Sequence, residues 1–171
     1  VAAGLGEMYI GTIHAYAKRI LEDYFTFGNH GVLDENQEIA FLMRHGWNLG
    51  IPRFGGPYAE SCRNFLRTVN MVWGEMLDER KLEKKAPEFY EKLKRYEELL
   101  AEHRQLTFGR MIYLAVLSLR DKPDTLSHVQ HLIVDEYQDI NQAQAELIGF
   151  VGKHGSVFVV GDPRQSIYQW R

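Results

Sequence analysis

The chain has 171 residues, of which 45% are hydrophobic and 25% are charged, and it carries a formal net charge of −3 and one cysteine. This composition predicts one globular domain, or one domain with an insertion, and the sequence holds no apolar run long enough to cross a membrane. A single cysteine excludes an internal disulfide and, with no export signal, favours a cytoplasmic location. The negative charge restricts any nucleic-acid contact to a local groove and to base stacking.

The chain is predicted to begin with a strand that leads into a helix. Residues 8–13 have the composition of a short strand, and residues 14–24 are predicted to be helical. One face of that helix carries the apolar residues Ala17, Ile20, Leu21 and Tyr24.

Residues 23–103 are predicted to be mainly helical. Four glycines between residues 28 and 50 indicate a loop with one short helix at residues 35–49. Apolar residues then recur at helical spacing over residues 58–82 and again over residues 87–100. The charged run at residues 78–85 is interpreted as a solvated helix end and loop, with a DNA-facing patch as the alternative.

Many aromatic residues of this region are interpreted as core, and a base-stacking surface is the alternative. They are Tyr24, Phe25, Phe27, Trp47, Phe54, Tyr58 and Trp73. Cys62 is interpreted as a small core residue.

Two short apolar runs mark the last third of the chain, at residues 131–134 and 156–160. Their β-branched and aromatic residues predict parallel strands that are buried on both faces. Residues 142–153 between them are predicted to form a crossover helix, with Gly155 after its end. Open α/β sheets bind ligands at the carboxyl ends of their strands, so sites are expected at residues 135–141 and 162–171.

Asp135 and Glu136 are adjacent acids that follow the first of these strands. One such carboxylate can hold Mg²⁺ while the cation keeps several waters and bridges substrate phosphates. The neighbouring carboxylate can orient or deprotonate an attacking water. The alternative for an isolated Asp-Glu pair is a solvated loop.

Three segments, taken in order, resemble the DExx-box helicases of superfamily one, the UvrD, Rep and PcrA type. Residues 132–141 (LIVDEYQDIN) resemble motif II of that family, VDEFQDTN. Residues 159–171 (VVGDPRQSIYQWR) resemble motif III, VVGDxxQSIYxFRG, and residues 11–17 (GTIHAYA) resemble the TFHSFA segment. Residues 106–112 (LTFGRMI) resemble the DFDDLI segment, but Thr107, Gly109 and Arg110 replace its acids.

The resemblance implies an α/β fold, in which a partial RecA-like parallel sheet with flanking helices carries a mainly helical insertion. Residues 1–22 are then the first part of a RecA-like motor domain, and residues 23–103 are the helical insertion. Residues 104–171 are the second part of the motor domain and carry motifs II and III. The expected sheet combines residues 9–13, 132–135 and 157–160.

The resemblance also implies an ATP-dependent DNA helicase and translocase that uses ATP and Mg²⁺ in DNA repair or replication. Its partners would be single-stranded DNA and single/double-strand junctions, and no membrane. The implied roles are Mg²⁺ binding by Asp135, positioning of the hydrolytic water by Glu136, contact with the γ-phosphate by Gln165, pairing of Arg171 with the motif II acid, base stacking by Tyr168 and Trp170, and DNA contact by Thr12 and His14. Core packing is the alternative for the two aromatic residues, and local hydrogen bonding is the alternative for His14.

The printed sequence contains no Gly-x4-Gly-Lys-Ser/Thr phosphate loop and no counterpart of the family's second motor domain. We therefore expect a fragment of a longer helicase that does not hydrolyse ATP by itself. One alternative is a degenerate motor half that binds DNA or protein without catalysis, against which the intact Asp135, Glu136, Gln165 and Trp170 speak. A second alternative is a phosphohydrolase acting on another substrate, which would need a phosphate loop.

Overall fold

A computed structural model describes residues 8–51 and 57–165, with the backbone alone at Gln165. The described residues form seven α-helices and four short strands. In chain order these are α1 (Ile13–Tyr24), β1 (Gly31–Leu33), α2 (Glu35–His45), α3 (Tyr58–Gly74), α4 (Glu79–Lys85), α5 (Pro87–Glu102), β2 (Gln105–Thr107), α6 (Phe108–Asp121), β3 (His131–Val134), α7 (Gln142–Val151) and β4 (Ser156–Val159). The predicted mixed α/β architecture, mainly helical with parallel strands, is confirmed.

The strands form two separate parallel pairs. β1 pairs with β2, with Val32 opposite Leu106, and β3 pairs with β4, with Val134 opposite Val159. α7 connects β3 to β4, so the predicted strand, helix, strand unit is confirmed. Parallel strands need a crossover of this kind, since a tight turn can join only antiparallel neighbours.

Side-chain caps set the starts of several helices. Asn141 and Gln144 form a capping box at α7, and Asp34 and Gln37 form one at α2. Thr107 accepts a hydrogen bond from the N–H of Arg110 at the start of α6. These residues end the preceding segment because their side chains satisfy backbone N–H groups that the first helical turn leaves free.

The buried apolar residues fall into two cores. One core joins α1, α6 and α7 and includes Ile20, Leu21, Met111, Leu119 and Leu147. The other joins α2, α3 and α5 and includes Leu42, Phe65, Trp73, Leu93 and Tyr96. α6 contributes to both, because Tyr113 packs in the second core while Met111 packs in the first. The division of the chain at residues 23 and 103 stays a prediction.

The prediction of a strand at residues 9–13 is wrong. Residues 8–12 have no regular secondary structure, and Ile13 opens α1. Met8 and Ile10 are 76% and 83% exposed, and no strand in the described part of the chain pairs with this segment. An extended segment without ladder hydrogen bonds has nothing to offset its loss of conformational entropy. The expected sheet of three segments is therefore a pair, β3 and β4.

The prediction that β3 and β4 are buried on both faces is also wrong for the described chain. Side chains alternate across a strand: Leu132 packs against the first core and Val134 is buried, whereas Ile133 between them is 75% exposed. On β4, Phe158 is 64% exposed. The helices α6 and α7 contribute to the first core beside Leu132, whereas all four residues of β4 are exposed in the described chain.

Four details of the middle region differ from the predictions. β1 lies in a segment predicted as a loop, and the pairing of β1 with β2 has no counterpart among the predicted strands. α3 ends at Gly74, and the charged run that follows it forms α4, because the Asp78 side chain accepts the N–H groups of Arg80 and Lys81. Trp47 is 70% exposed and stacks on Tyr58, so its interpretation as core is wrong. Phe54 lies outside the described residues.

Other predictions for this region are confirmed. Cys62 is buried, and α5 begins at Pro87 as expected. None of the helices in the described ranges combines the length and the apolar character that crossing a lipid bilayer would require.

Candidate functional site

The carboxyl ends of β3 and β4 lie side by side. The N–H of Val160 donates to the carbonyl of Val134 at 2.8 Å, and the N–H of Tyr137 donates to the carbonyl of Val160 at 3.0 Å. Asp135 leaves β3 and Asp162 follows β4 at this same edge. The structure therefore brings together the starts of the two polar segments that the sequence singled out, as the parallel pairing requires.

A sharp turn separates the two adjacent acids. The backbone of Glu136 has φ 53° and ψ 39°, which is the left-handed region that residues other than glycine rarely occupy. Oδ1 of Asp135 accepts the N–H of Glu136 at 2.9 Å. A short 3₁₀ turn at Tyr137–Asp139 follows, in which the N–H of Asp139 donates to the carbonyl of Glu136 at 3.1 Å. Strained backbone of this kind persists where neighbouring contacts hold it and is frequent at functional sites.

Gln138 connects the two strand ends. Its Nε2 donates to Oε2 of Glu136 at 2.6 Å, and its Oε1 accepts the N–H of Asp162 at 3.0 Å. Gly161 permits this approach, since a Cβ there would lie 2.6 Å from Oε1 of Gln138. No role is predicted for Gln138 from the sequence. Its amide, which can donate and accept at once, was the available signal.

Asp135 and Glu136 are accessible at this edge of the sheet, because the nearby Arg164 pairs with Asp162 instead. Asp162 is held by Arg164, whose Nε and Nη2 lie 3.0 and 3.1 Å from its two carboxylate oxygens, and this hydrogen bonding raises the pKa of Arg164. Asp135 and Glu136 are exposed, and no lysine or arginine in the described ranges forms an ion pair with either. The two carboxylates can therefore meet a cation or a water that approaches the edge of the sheet.

The donor set at Asp135 fits Mg²⁺. The side chain is an exposed hard-oxygen ligand whose only partner among the described residues is the N–H of Glu136. The described chain has no group of three or more His, Cys, Asp or Glu residues that could hold a metal on its own. Mg²⁺ commonly binds through one or two carboxylates and completes its shell with water and substrate phosphates. A site at Asp135 would be of that kind.

Thr12 and His14 have local structural partners. Oγ1 of Thr12 accepts the N–H of Ala15 at 3.1 Å and so caps α1. The His14 ring meets the Phe108 ring edge-on, with centroids 5.4 Å apart, and burial lowers the pKa of His14. Since residues 9–13 form no strand, the sheet does not place these two residues beside Asp135. Their contact with DNA stays a prediction.

The remaining predicted site residues lie at or beyond the end of the described chain. Gln165 ends a short 3₁₀ turn at Pro163–Gln165, and its side chain is outside the described part. Tyr168, Trp170 and Arg171 lie outside the described residues altogether. Their assigned roles stay predictions.

Comparison with known proteins connects this arrangement to a family. Residues 2–171 match the family described as UvrD/REP helicase N-terminal domain. The chain is 27% identical over 184 residues to the ATP-dependent DNA helicase PcrA of Bacillus subtilis, covering 98% of this chain and 24% of that protein. It is 31% identical over 180 residues to the PcrA of Staphylococcus epidermidis, covering 96% and 24%. It is 26% identical over 191 residues to DNA helicase II of Escherichia coli, covering 97% and 24%. The chain thus spans about a quarter of the length of these curated relatives.

Proposed function

The chain belongs to the UvrD/REP helicase N-terminal domain family, and we propose that it supplies the ATP-hydrolysing edge of an ATP-dependent DNA helicase. The helicase would couple ATP hydrolysis to movement on single-stranded DNA and to duplex unwinding, in DNA repair or replication. Its DNA partners would be single strands and single/double-strand junctions. Residues 1–22 and 104–171 would be parts of the motor domain, and residues 23–103 its helical insertion.

The observation that carries the proposal is the pair of carboxylates at the shared end of β3 and β4. Asp135 and Glu136 are adjacent in the chain, but the left-handed backbone of Glu136 separates them at the end of the strand. A metal-holding carboxylate and a separate water-positioning carboxylate are the two protein groups that phosphoryl transfer to water requires at this side of the substrate. No lysine or arginine in the described ranges neutralises either by ion pairing.

Each of these side chains has a task in the proposed reaction. Asp135 would hold Mg²⁺, which when bound neutralises charge on the phosphates and orients them. Glu136 would accept a hydrogen bond from the attacking water and take its proton. Gln138 supports that task, since its amide holds Oε2 of Glu136 at 2.6 Å and leaves Oε1 for the water. Gln165 would contact the γ-phosphate, and Arg171 would pair with the motif II acid.

DNA contact is assigned to a different set of residues. Tyr168 and Trp170 would stack on bases, a contact that tolerates any sequence because every base has a π face. Thr12 and His14 would contact the strand near the start of α1. Sequence-independent stacking suits a chain of net charge −3, which cannot rely on a large basic surface.

The experiment uses the full-length protein that carries this chain. Glu136→Gln keeps the shape of the side chain and removes the base. The rate of DNA-stimulated phosphate release from ATP should therefore fall by at least about 100-fold while ATP binding is retained. Gln142→Glu, an exposed change on α7, serves as the control and should leave turnover unchanged. Turnover of Glu136→Gln close to that of the unmodified protein would reject the assignment. Residues 1–171 alone are expected not to turn over ATP, because they hold only the acidic side of the phosphate clamp.

A further inference from the structure

The end of α3 touches the segment that carries the two acids. Gly74 is the last residue of α3, and it is buried. A Cβ built on Gly74 would lie 3.0 Å from Nδ2 of Asn141 and 3.6 Å from its Cγ. Asn141 is the last residue of the segment that begins at Asp135. A helix of the second core therefore abuts the acidic segment at a position where only glycine avoids crowding.

The Asn141 side chain cannot move away from Gly74 without a cost. The side-chain Oδ1 of Asn141 accepts the backbone N–H of Gln144 at 2.9 Å, while the backbone N–H of Asn141 donates to Oε1 of Gln144 at 3.0 Å. These two hydrogen bonds form the capping box that begins α7. A side chain added at position 74 would displace the Asn141 amide. Because the capping hydrogen bonds oppose that displacement, the backbone of Asn141 would shift as well.

A compact turn connects Asn141 to Glu136. The 3₁₀ turn Tyr137–Asp139 occupies most of the interval, and the N–H of Asp139 donates to the carbonyl of Glu136. The Gln138 amide donates a hydrogen bond directly to the Glu136 carboxylate. Because this turn is compact, it cannot absorb a shift of Asn141 by a few tenths of an ångström, and the shift displaces Glu136 as well.

We propose that Asn141 is a positioning residue through which the end of α3 sets the conformation of residues 135–141, and with it the placement of the Glu136 carboxylate. α3 packs in the second core, whereas α7 packs in the first. The contact between Gly74 and Asn141 thus makes the geometry of the acidic segment depend on how the two cores are joined. The consequence for catalysis rests on the proposed function, but the conformational coupling does not.

The test compares Gly74→Ala with Gly149→Ala in the full-length protein that carries this chain. Gly149 lies in α7, and a Cβ there meets nothing within 4 Å, so it controls for the general effect of adding a methyl group. Peptide-resolved hydrogen exchange should speed up by about fivefold over residues 136–145 in Gly74→Ala, the factor expected from weakening one helix cap. Exchange in Gly149→Ala should remain unchanged or slow down.

A rescue variant separates positioning from general damage. Asn141→Ser keeps a capping hydroxyl for the N–H of Gln144 but removes the amide that faces Gly74. The double variant Gly74→Ala with Asn141→Ser should therefore return exchange over residues 136–145 towards that of the unmodified protein. A double variant that exchanges as fast as Gly74→Ala, or equal exchange in Gly74→Ala and Gly149→Ala, would overturn the proposal.

If Gly74→Ala does not accumulate as folded protein, Asn141→Ser alone decides. It keeps the cap but leaves a gap between residue 141 and Gly74, which the methyl group added at position 74 fills in the double variant, so exchange in the single variant should rise at residues 136–140 and stay unchanged at Gln144 and Ala145. Unchanged exchange at residues 136–140 would overturn the inference.

The catalytic arm measures kcat and KM for ATP with saturating single-stranded DNA. Gly74→Ala should lower kcat by about tenfold with KM little changed, since small misplacements of a reacting group cost rate more than binding. An unchanged kcat in a variant with altered exchange would remove the positioning role. Absence of DNA-stimulated hydrolysis in the unmodified protein would instead overturn the proposed function, and the exchange data would still decide the coupling.

Discussion

Arg110 of α6 and Glu97 of α5 form an ion pair beside the second core, with side chains that are 15% and 8% exposed. The Arg110 guanidinium also lies over the rings of Trp73 and Tyr113, 5.3 and 5.5 Å from their centroids. Glu97 accepts further hydrogen bonds from Trp73 at 3.1 Å and Lys94 at 2.8 Å. Arg110 stands where the related DFDDLI segment has an acid, so the departure in sequence has a structural partner in Glu97.

Replacing Arg110 should destabilise the chain strongly. Arg110→Met leaves the buried Glu97 carboxylate with Lys94 as its remaining charged partner, and breaking one side of a buried pair typically costs about 3–5 kcal/mol. Because Lys94 stays, we expect a loss of about 2–3 kcal/mol in the free energy of unfolding, measured by denaturant titration. Arg95→Met, which breaks the exposed pair with Glu91 on the same α5 helix, is the matched control and should cost less than about 0.5 kcal/mol. Equal losses in the two variants would contradict the buried-pair account.

Glu38 should make stability depend on pH. Burial raises its pKa to about 7, although hydrogen bonds from Tyr96 and Asn70 oppose the rise. The folded state therefore binds a proton that the unfolded state has already lost between about pH 4.5 and 7. Stability from this group is fully present below the unfolded pKa and is lost as pH rises through the folded pKa.

Glu38→Gln tests that dependence. The amide keeps an acceptor for the Tyr96 hydroxyl, which donates to Glu38 at 3.0 Å, and it carries no charge to bury. The variant should be more stable than the unmodified chain at pH 8 by an amount on the order of 2 kcal/mol, with the advantage vanishing near pH 4. Glu60→Gln, at an exposed position in the first turn of α3, serves as the control. Parallel stability curves for Glu38→Gln and the unmodified chain from pH 4 to 8 would refute the prediction.

Gln138 should matter for turnover more than for nucleotide binding. Gln138→Ala removes the amide that joins Glu136 to the N–H of Asp162. If the proposed function holds, kcat for ATP in the full-length protein should fall by about 10-fold or more, as is typical when a group that orients a site residue is removed. Gln142→Ala, which removes an amide contact with Glu146 on α7, is the control. Steady-state kinetics with a normal kcat for Gln138→Ala would show that Glu136 does not need this partner.

Trp170 should contribute one base stack. Trp170→Ala in the full-length protein should weaken binding of single-stranded DNA by about 1–3 kcal/mol, measured by fluorescence anisotropy with an oligonucleotide. Trp47→Ala is the informative comparison, because Trp47 is 70% exposed and stacks on Tyr58. Unchanged affinity for Trp170→Ala would assign that residue to the core, and a loss for Trp47→Ala alone would place the stacking surface in the helical region.

Local patterns predicted much of the secondary structure. The helices α1, α5 and α7 follow from apolar residues at helical spacing, and Pro87 stands at the start of α5, where its ring suits the first turn. The runs of β-branched residues predicted the strands β3 and β4. Their parallel connection predicted that the acids after the two strands lie at the same edge of the sheet. The same reasoning gave a wrong prediction for residues 8–13, because a segment with strand composition forms no strand without a hydrogen-bonding neighbour.

The sequence by itself determined most of the helices, the strands β3 and β4, the positions of Asp135 and Glu136, and the family. These features depend on short-range spacing and on side-chain chemistry, and both can be recognised within a few residues of the sequence. Only the tertiary structure decided that β1 pairs with β2, that Ile133 faces away from the helices, and that Gly74 meets Asn141. Such contacts join residues far apart in the chain, and their geometry is set by how whole helices pack, for which no local period in the sequence carries a signal.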